Sequence, residues 1–336
     1  MSFIKITFGD EMFEPQDHSN SSKSNKLSSV DLRLKENPLA RGAAWMKGKI
    51  IPLSEASMPV NDWGLVRSDI TYDVVPVING AFFRLSNYID RFQASMKGLK
   101  LKPQVNKEEI GNALLGMVAA SGLRDSYVTM VCSRGVPAIP GSRDPRECVN
   151  YFYAWCVPYI HVIKPEVVAR GASALISSSV KRIDESSFDP TIKNYHWGDF
   201  TRGLYEAKEQ NYDTALLVDH RNFLTEGPGF NVFIIKNGIL ITPVKGVLQG
   251  ITRRTVLEIA ESLGIRTEIR EIAKSEVLDA DEVFLSTSAG GVMPLVRVNS
   301  KIYSNGTPGH ISEQIRKKYW EWTELSCYRT TINYSD

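Results

Sequence analysis

The sequence predicts an α+β fold in two domains, and three observations lead to this fold class. The 336 residues are 43% hydrophobic and 23% charged, an ordinary globular composition with enough chain for two cores. Strand-like and helix-like stretches alternate up to Pro158, and the pattern then starts again. We therefore predict an arm at 1–38, a smaller domain at 39–156, a linker at 157–163 and a larger domain at 164–336.

Two hairpin signals begin the predicted smaller domain. A pair of strands is expected at 44–52 around Lys47-Gly48, and another pair in ITYDVVPVINGAFFRL around Asn79-Gly80. An Asn-Gly pair favours the positive φ angles that a two-residue hairpin turn requires. The preceding residues 16–38 are rich in Ser, Asn and Lys, which favours an arm outside the core.

Helical spacing and turn residues define the remaining elements. Helices are predicted at 86–98, with Ser86 as the N-cap, and at 107–121, ending at Gly122. Two strands follow in YVTMVCSRG and VNYFYAWCVPYI. In the larger domain, strands are expected in ASALISSSV, TALLVDH, NVFIIKNGILIT, TEIREI and EVFLSTSA, and helices at 197–210, 252–263 and 311–323.

The charge and the cysteine content indicate what kind of partner and what cellular compartment to expect. The 40 basic and 38 acidic residues give a net charge of +2 and form no basic stripe, so a small molecule is a better partner than nucleic acid. No apolar run is long enough to cross a membrane, and no secretory signal is visible. The four cysteines show no metal-ligand spacing and are expected to be reduced thiols in a cytoplasmic protein.

Two segments contain residues suited to catalysis. Lys193, in DPTIKNYHWGD, has apolar neighbours that would lower the pKa of its amine and make it nucleophilic. Glu226, in TEGPGFN, stands between a strand and a glycine-rich turn, where a fixed carboxylate can keep a pyridine nitrogen protonated. Taken alone, a lysine or a glutamate in such a segment is more commonly an exposed side chain on a loop.

Two further segments are suited to binding an anion. GVLQGITR at 246–253 leads directly into an apolar helix, whose first backbone N–H groups are available to a phosphate. STSAGG at 286–291 follows a strand and allows a ligand to approach the backbone closely. Either segment alone is also compatible with an ordinary loop.

Together and in this order, the four segments resemble the fold-type IV enzymes that use pyridoxal 5'-phosphate (PLP). The resemblance extends from about residue 37 to about residue 323 and includes GAAW, SDITYDV, FFRL, EGPGFN and GVLQGITR. It is strongest to the (R)-selective amine transaminases. It implies a smaller N-terminal α/β domain, a larger C-terminal domain with a β-barrel-like core, and a homodimer with active sites at the interface.

The resemblance also implies roles for individual residues. Lys193 would carry the cofactor and move the substrate proton, and Glu226 would pair with the pyridine nitrogen. The phosphate would be held by Arg84 and by a cup of Ile251, Thr252 and Thr287. The substrate pocket would be formed by Tyr72, Val74, Tyr127, Trp197, Ser288 and Ala289. Core packing is the alternative for Tyr72 and Tyr127.

Two arginines depart from the amine transaminase pattern. Arg67 replaces a usual histidine, and Arg143 stands three residues after the position of a mobile arginine in some members. Either could bind a substrate carboxylate through two hydrogen bonds. The alternative for Arg67 is an ion pair with Asp62 or Asp69.

The predicted function is transfer of an amino group from an (R)-amine to a keto acid such as pyruvate by a ping-pong mechanism. A D-amino acid transaminase is the alternative. It is favoured by the presence of Arg67 where the amine transaminases usually have histidine. A branched-chain aminotransferase, a PLP-dependent lyase and a non-catalytic binding protein are weaker candidates. A nicotinamide-dependent oxidoreductase is excluded because no G-x-G-x-x-G follows a strand and begins a helix.

Overall fold

The computed structural model describes residues 37–334, which form two β-sheets with helices packed against them. The strands are β1 (Ala43–Met46), β2 (Lys49–Pro52), β3 (Ile70–Ile78), β4 (Ala81–Phe83), β5 (Ser126–Ser133), β6 (Tyr151–Pro158), β7 (Ala172–Ile176), β8 (Thr214–Leu216), β9 (Glu226–Gly227), β10 (Phe230–Lys236), β11 (Ile239–Thr242), β12 (Thr267–Ile269), β13 (Glu282–Thr287), β14 (Gly291–Val298), β15 (Lys301–Ile302) and β16 (Arg329–Thr331). The helices are α1 (Trp63–Val66), α2 (Leu85–Gly98), α3 (Lys107–Ser121), α4 (Pro165–Arg170), α5 (Gly198–Glu209), α6 (Ile251–Ser262), α7 (Lys274–Asp279) and α8 (His310–Thr323). The predicted α+β class is confirmed.

The first sheet is antiparallel, with the strand order β16-β4-β3-β5-β6-β1-β2. Helices α2 and α3 cover one face of this sheet and share a hydrophobic core with it. Six of its seven strands lie before residue 159, and β16 returns from the end of the chain to pair with β4. The chain therefore enters this sheet twice.

Strand β3 separates the hydrophobic core from the candidate site because successive side chains point to opposite faces. Val75 and Val77 are fully buried in the core beneath α2 and α3. Tyr72 and Val74 belong instead to a cluster on the other face. The predicted site residues of this strand consequently share one side of the sheet.

The second sheet curls into a closed circle of strands. Its order is β12-β11-β10-β13-β14-β7-β8, and β9 pairs with β10. The circle closes where Leu217, just after β8, donates its N–H to the carbonyl of Glu226 at 3.0 Å and accepts from the N–H of Thr225 at 3.0 Å. Closure removes the free edges on either side of this seam. This arrangement is the β-barrel-like core that the resemblance implied.

Local sequence signals account well for several predicted elements. Both predicted hairpins form, with positive φ angles at Lys47-Gly48 and Asn79-Gly80. Helix α3 begins at a capping box of Asn106 and Glu109. It ends at Gly122, whose φ of 71° favours glycine.

One cap prediction was wrong, and some elements were not predicted. Ser86 is not an N-cap, because α2 begins one residue earlier, after Arg84 in a left-handed conformation. Strand β14 was not predicted, and it pairs with both β13 and β7. The predicted arm at 1–38 lies almost entirely outside the described residues, and the domain boundaries stay a prediction.

Candidate active site

Lys193 lies in a cavity of about 240 Å³ between the two sheets. Its segment is anchored to the first sheet's layer, because the Thr71 hydroxyl donates to its carbonyl at 2.6 Å and its N–H donates to the Ser95 hydroxyl at 3.2 Å. The Lys193 ammonium nitrogen is 4.3 Å from the centre of the Tyr72 ring. Burial lowers the pKa of Lys193 to about 8, so a substantial fraction is a neutral amine at mildly basic pH.

Glu226 places a buried carboxylate in the same cavity. It accepts hydrogen bonds from the N–H of Leu248 at 2.9 Å and from the guanidinium of Arg182 at 3.2 Å. Burial raises the pKa of Glu226, and the charge of Arg182 opposes this shift most strongly. Arg182 also pairs with Asp199 at 2.6 Å. Arg182 therefore holds the carboxylate in position while it limits the cost of burying the charge.

An anion-binding cup lies at the start of α6. Ile251 and Thr252, its first two residues, line the cavity together with Gly250, the N-cap residue. The Thr252 hydroxyl is buried and has no hydrogen-bond partner among residues 37–334. The unpaired N–H groups of the first turn and this hydroxyl can together bind a phosphate.

The arginine that lines the cavity near the start of α6 is Arg91 and not Arg84. Arg91 lines the cavity and forms a two-pronged pair with Asp73, at 2.6 and 2.8 Å. Arg84, which we predicted for this role, lies outside the cavity, pairs with Glu258 and stacks on Tyr328 at 4.0 Å. The left-handed backbone of Arg84 directs its side chain towards α6 and the C-terminal segment.

A turn between β13 and β14 contributes Thr287, Ser288 and Ala289 to the cavity, as predicted. The Thr287 hydroxyl donates to the carbonyl of Gly229 at 2.7 Å and accepts from the N–H of Ala289 at 3.2 Å. The Ser288 hydroxyl bonds to that of Tyr88 at 2.7 Å. Because its hydroxyls are already paired within the protein, the turn has a defined position beside the cavity.

Aromatic side chains form the wall opposite the anion cup. The predicted Tyr72, Val74, Tyr127 and Trp197 all line the cavity. Tyr72 stacks on Tyr195 with ring centres 4.1 Å apart. Trp155 adds a further ring to this wall, 5.8 Å from that of Tyr127. The wall presents flat apolar surface to a substrate.

Arg67 and Arg143 do not reach the cavity of their own chain. Both are exposed, and the Arg67 guanidinium carbon stacks 3.4 Å from the centre of the Trp63 ring. The predicted pairing of Arg67 with Asp62 or Asp69 is also not found. Asp62 caps α1, and Asp69 pairs with Arg134.

The residues that sequence reasoning missed are Arg91, Asp73, Arg182 and Trp155. A signal for Arg91 was present, because it stands at helical spacing from the buried Tyr88 and Ser95 on α2. Arg182 gave no comparable signal. It lies outside helices and strands, in a loop 44 residues before Glu226 along the chain.

The cavity suits a flat ring that carries a phosphate. A buried carboxylate, an amine of lowered pKa and an unpartnered hydroxyl at a helix start are the groups that such a ring needs.

Within the described part of the chain, no group of three or more His, Cys, Asp or Glu side chains could hold a metal ion. No helix of residues 37–334 has the length and apolar character to span a membrane.

Comparison with known proteins gives consistent matches. The family model described as Amino-transferase class IV matches residues 71–298. A putative branched-chain-amino-acid aminotransferase of Methanocaldococcus jannaschii is 28% identical, covering 82% of this chain and 94% of the relative. A D-alanine aminotransferase of Bacillus licheniformis is 26% identical, covering 80% and 93%. The PLP form of a branched-chain amino acid aminotransferase from Thermobaculum terrenum superimposes with a TM-score of 0.77 at 25% identity, covering 87% and 98%.

Proposed function

Since this chain belongs to the class IV aminotransferases and uses pyridoxal phosphate, we propose that it transfers the amino group of an (R)-amine to a keto acid such as pyruvate. The proposal includes a ping-pong order, in which the amine donor and the keto acid use the same cavity in turn. Lys193 is the proposed catalytic residue. The residues proposed to hold the cofactor are Arg91, Glu226, Ile251, Thr252 and Thr287.

The observation that carries the choice of substrate is the aromatic wall of the cavity. Tyr72, Tyr127, Trp155 and Trp197 line the side where the donor would lie. Among the described residues, the arginines that line the cavity are Arg91 and Arg182, and both are paired with carboxylates. The ring of an aryl-substituted amine can pack against this wall, which supports such an amine as the donor.

The residues divide the chemistry between them. The bound cofactor supplies a ring that accepts electrons from the substrate carbon. Glu226, held by Arg182 and the N–H of Leu248, stabilises the protonated ring nitrogen. The Lys193 amine removes the proton from the substrate carbon and delivers it to the cofactor carbon, which is general acid–base catalysis by a neutral amine. The hydroxyl of Thr252 and the first turn of α6 hold the phosphate.

A D-amino acid transaminase is the second candidate. A relative named D-alanine aminotransferase matches most of the chain. This function needs a cation for the substrate carboxylate, and Arg67 or Arg143 of the same chain does not provide it. The second candidate therefore depends on a proposed homodimer, in which Arg67 or Arg143 of one protomer reaches the cavity of its partner.

The surface around Arg67 supports that dimer. Leu65 and Val66 next to it are exposed by 58% and 57%, and Ile139 on the loop of Arg143 is exposed by 57%. Leu65 and Val66 are adjacent along the chain, and neighbouring exposed apolar side chains are available to contact another chain. Sedimentation of the purified protein tests the dimer, and a single-chain mass at micromolar concentration would rule it out.

The four free thiols agree with the proposed cytoplasmic location.

The test is an absorbance scan of the purified holoenzyme mixed with (R)-1-phenylethylamine and no keto acid. We expect the visible band of the lysine-bound cofactor to disappear and to return on addition of pyruvate. The (S)-amine, D-alanine and L-leucine are the matched donors, and the variant Lys193→Ala is the control without the band. Bleaching by D-alanine alone would replace the proposal with the second candidate, and bleaching by L-leucine alone would indicate a branched-chain aminotransferase.

A further inference from the structure

Two tyrosine hydroxyls form hydrogen bonds to the Ser288–Gly290 turn. The Tyr159 hydroxyl donates to the carbonyl of Ser288 at 2.7 Å and accepts from the N–H of Gly290 at 3.0 Å. The Tyr88 hydroxyl bonds to the Ser288 hydroxyl at 2.7 Å. Tyr159 follows β6 and Tyr88 lies on α2, so both tyrosines connect the turn to the layer of the first sheet.

Neither tyrosine is among the residues that line the cavity, whereas Ser288 and Ala289 are. Tyr88 is completely buried. Burial raises the pKa of both tyrosines, so both hydroxyls keep their protons and remain able to donate. The two side chains can therefore affect a ligand only through the groups that they position.

Two other hydrogen bonds restrain the backbone of the turn, and the N–H of Ala289 donates one of them to the Thr287 hydroxyl at 3.2 Å. Val162 donates its N–H to the carbonyl of Ala289 at 2.9 Å, and Gly290 and Gly291 both have positive φ angles. Glycine backbones are more permissive than others, and so external hydrogen bonds decide the conformation of such a segment. The Tyr159 hydroxyl alone satisfies one carbonyl and one N–H of the turn.

Tyr88 differs from Tyr159 because it also adjoins the anion cup. The Arg91 guanidinium carbon lies 5.4 Å from the centre of the Tyr88 ring, one helical turn further along α2. The charge of Arg91 opposes the rise that burial causes in the pKa of Tyr88. Tyr88 is thus close to the groups proposed to hold the phosphate and also to the turn.

We propose that Tyr159 and Tyr88 are positioning residues for the Ser288–Gly290 turn, which sets the room available to the substrate. The inference rests on the proposed aminotransferase site. Tyr159 acts on the substrate side alone, and Tyr88 couples the substrate side to the phosphate side.

The experiment compares Tyr159→Phe, Tyr88→Phe and Tyr88→Leu with Tyr303→Phe. Tyr303 is a matched control, because its buried hydroxyl donates to the carbonyl of Val277 at 2.7 Å and it does not line the cavity. Three quantities are measured: the thermal midpoint, the dissociation constant for PLP, and KM and kcat for a large and a small donor that the wild type accepts.

Tyr159→Phe is expected to raise KM for the donor about threefold to tenfold, the effect of losing an ordinary hydrogen bond. The preference between large and small donors should weaken, and the affinity for PLP should stay as in the wild type. Tyr88→Phe, which removes the bond to the Ser288 hydroxyl, should give the same rise in KM. Tyr88→Leu also removes the ring beside Arg91 and should in addition weaken binding of PLP, but not of pyridoxal, which has no phosphate. Tyr303→Phe should change only the thermal midpoint.

An unchanged KM and donor preference in Tyr159→Phe would overturn the proposal, as would an equal change in Tyr303→Phe. If Tyr88→Phe does not fold, Ser288→Ala removes the same hydrogen bond from the other side and must raise KM similarly. A wild-type enzyme that accepts D-alanine but no amine would overturn the proposed substrate. The variants would then be compared with D-alanine and D-phenylalanine, so the positioning roles would still be decided.

Discussion

Lys193 and Arg91 show how the surroundings of a side chain determine its role. Lys193 has a lowered pKa because it is buried, although Asp73 and Glu226 favour its charged form. The Arg91 side chain is 12% exposed and stays charged, since its two-pronged pair with Asp73 more than offsets the cost of partial burial. The cavity therefore contains one cation that can become neutral and one that cannot.

We expect the apoprotein to capture PLP faster as the pH rises through about 8, the pKa of Lys193. Below this pH the lysine is protonated and cannot attack the aldehyde, and above it the neutral amine can. The measurement is the rate at which the visible absorbance of the lysine-bound cofactor develops after mixing.

N-acetyl-lysine amide, mixed with PLP over the same pH series, controls for ionisation of the cofactor itself. Its rate should rise only towards the usual lysine pKa of 10.5. A protein whose rate follows that of the free lysine would contradict the lowered pKa.

Single residues also show how far sequence reasoning could reach. Lys193, Glu226, Thr252 and Thr287 were predicted for one site, and the structure brings them to one cavity. Arg84 was predicted to bind the phosphate because it lies in the motif FFRL, which the family resemblance singles out, and Arg91 was not considered. Which of the two arginines reaches the cavity depends on the direction of each side chain. The left-handed backbone conformation of Arg84 could not be predicted from the sequence.

At the scale of elements, helix α3 is the clearest case of a boundary specified by sequence. The Asn106 side chain accepts from the N–H of Glu109 at 3.0 Å, and the Glu109 side chain accepts from the N–H of Asn106 at 2.7 Å. We predicted the helix from its apolar spacing and its glycine, and its bounds are those observed.

Replacing Asn106 with Ala should lower the free energy of unfolding by about 1 kcal/mol, because alanine leaves N–H groups of the first turn unsatisfied. Denaturant unfolding of the apoprotein measures the change. Lys317→Ala, on the long helix α8, is a control substitution away from any cap. Equal stability of Asn106→Ala and the wild type would show that water replaces the cap at no cost.

Strand β14 marks the limit of prediction at this scale. Its sequence GVMPLVRV contains Pro294, and proline within an apolar run argues against a central strand. The structure accommodates Pro294 opposite Phe284, shortly before a shift of register between Leu295 and Arg297. Whether a proline fits at this position depends on the two neighbouring strands, and the sequence of β14 alone does not predict it.

For the whole molecule, the decisive pairings join residues far apart in sequence. Strand β16 pairs with β4 across about 250 residues, and Leu217 and Glu226 close the circle of the second sheet. Local periodicity predicts that strands exist but not which strands pair, because pairing depends on long-range contacts. The two-sheet architecture was expected mainly from the family resemblance.

Ile332 anchors the returning C-terminal segment in the core of the first sheet, where it is 4% exposed. Replacing it with Ala should destabilise the protein by about 2–5 kcal/mol, the usual cost of a large cavity in a core. Thr331→Ala is the matched control, because Thr331 is the exposed neighbour on β16. Urea unfolding measures both variants, and similar midpoints for the two would show that the segment contributes little to stability.

The return of β16 has a consequence for synthesis on the ribosome. Until residues 329–331 have emerged, the strand Ala81–Phe83 has no partner along one edge, although the rest of its sheet was made before residue 159. An unpaired edge next to buried aromatic rings is a site where nascent chains associate with one another. The second sheet must therefore be translated while the first is still incomplete, so slow translation between residues 159 and 328 prolongs the period in which this edge is open to other chains.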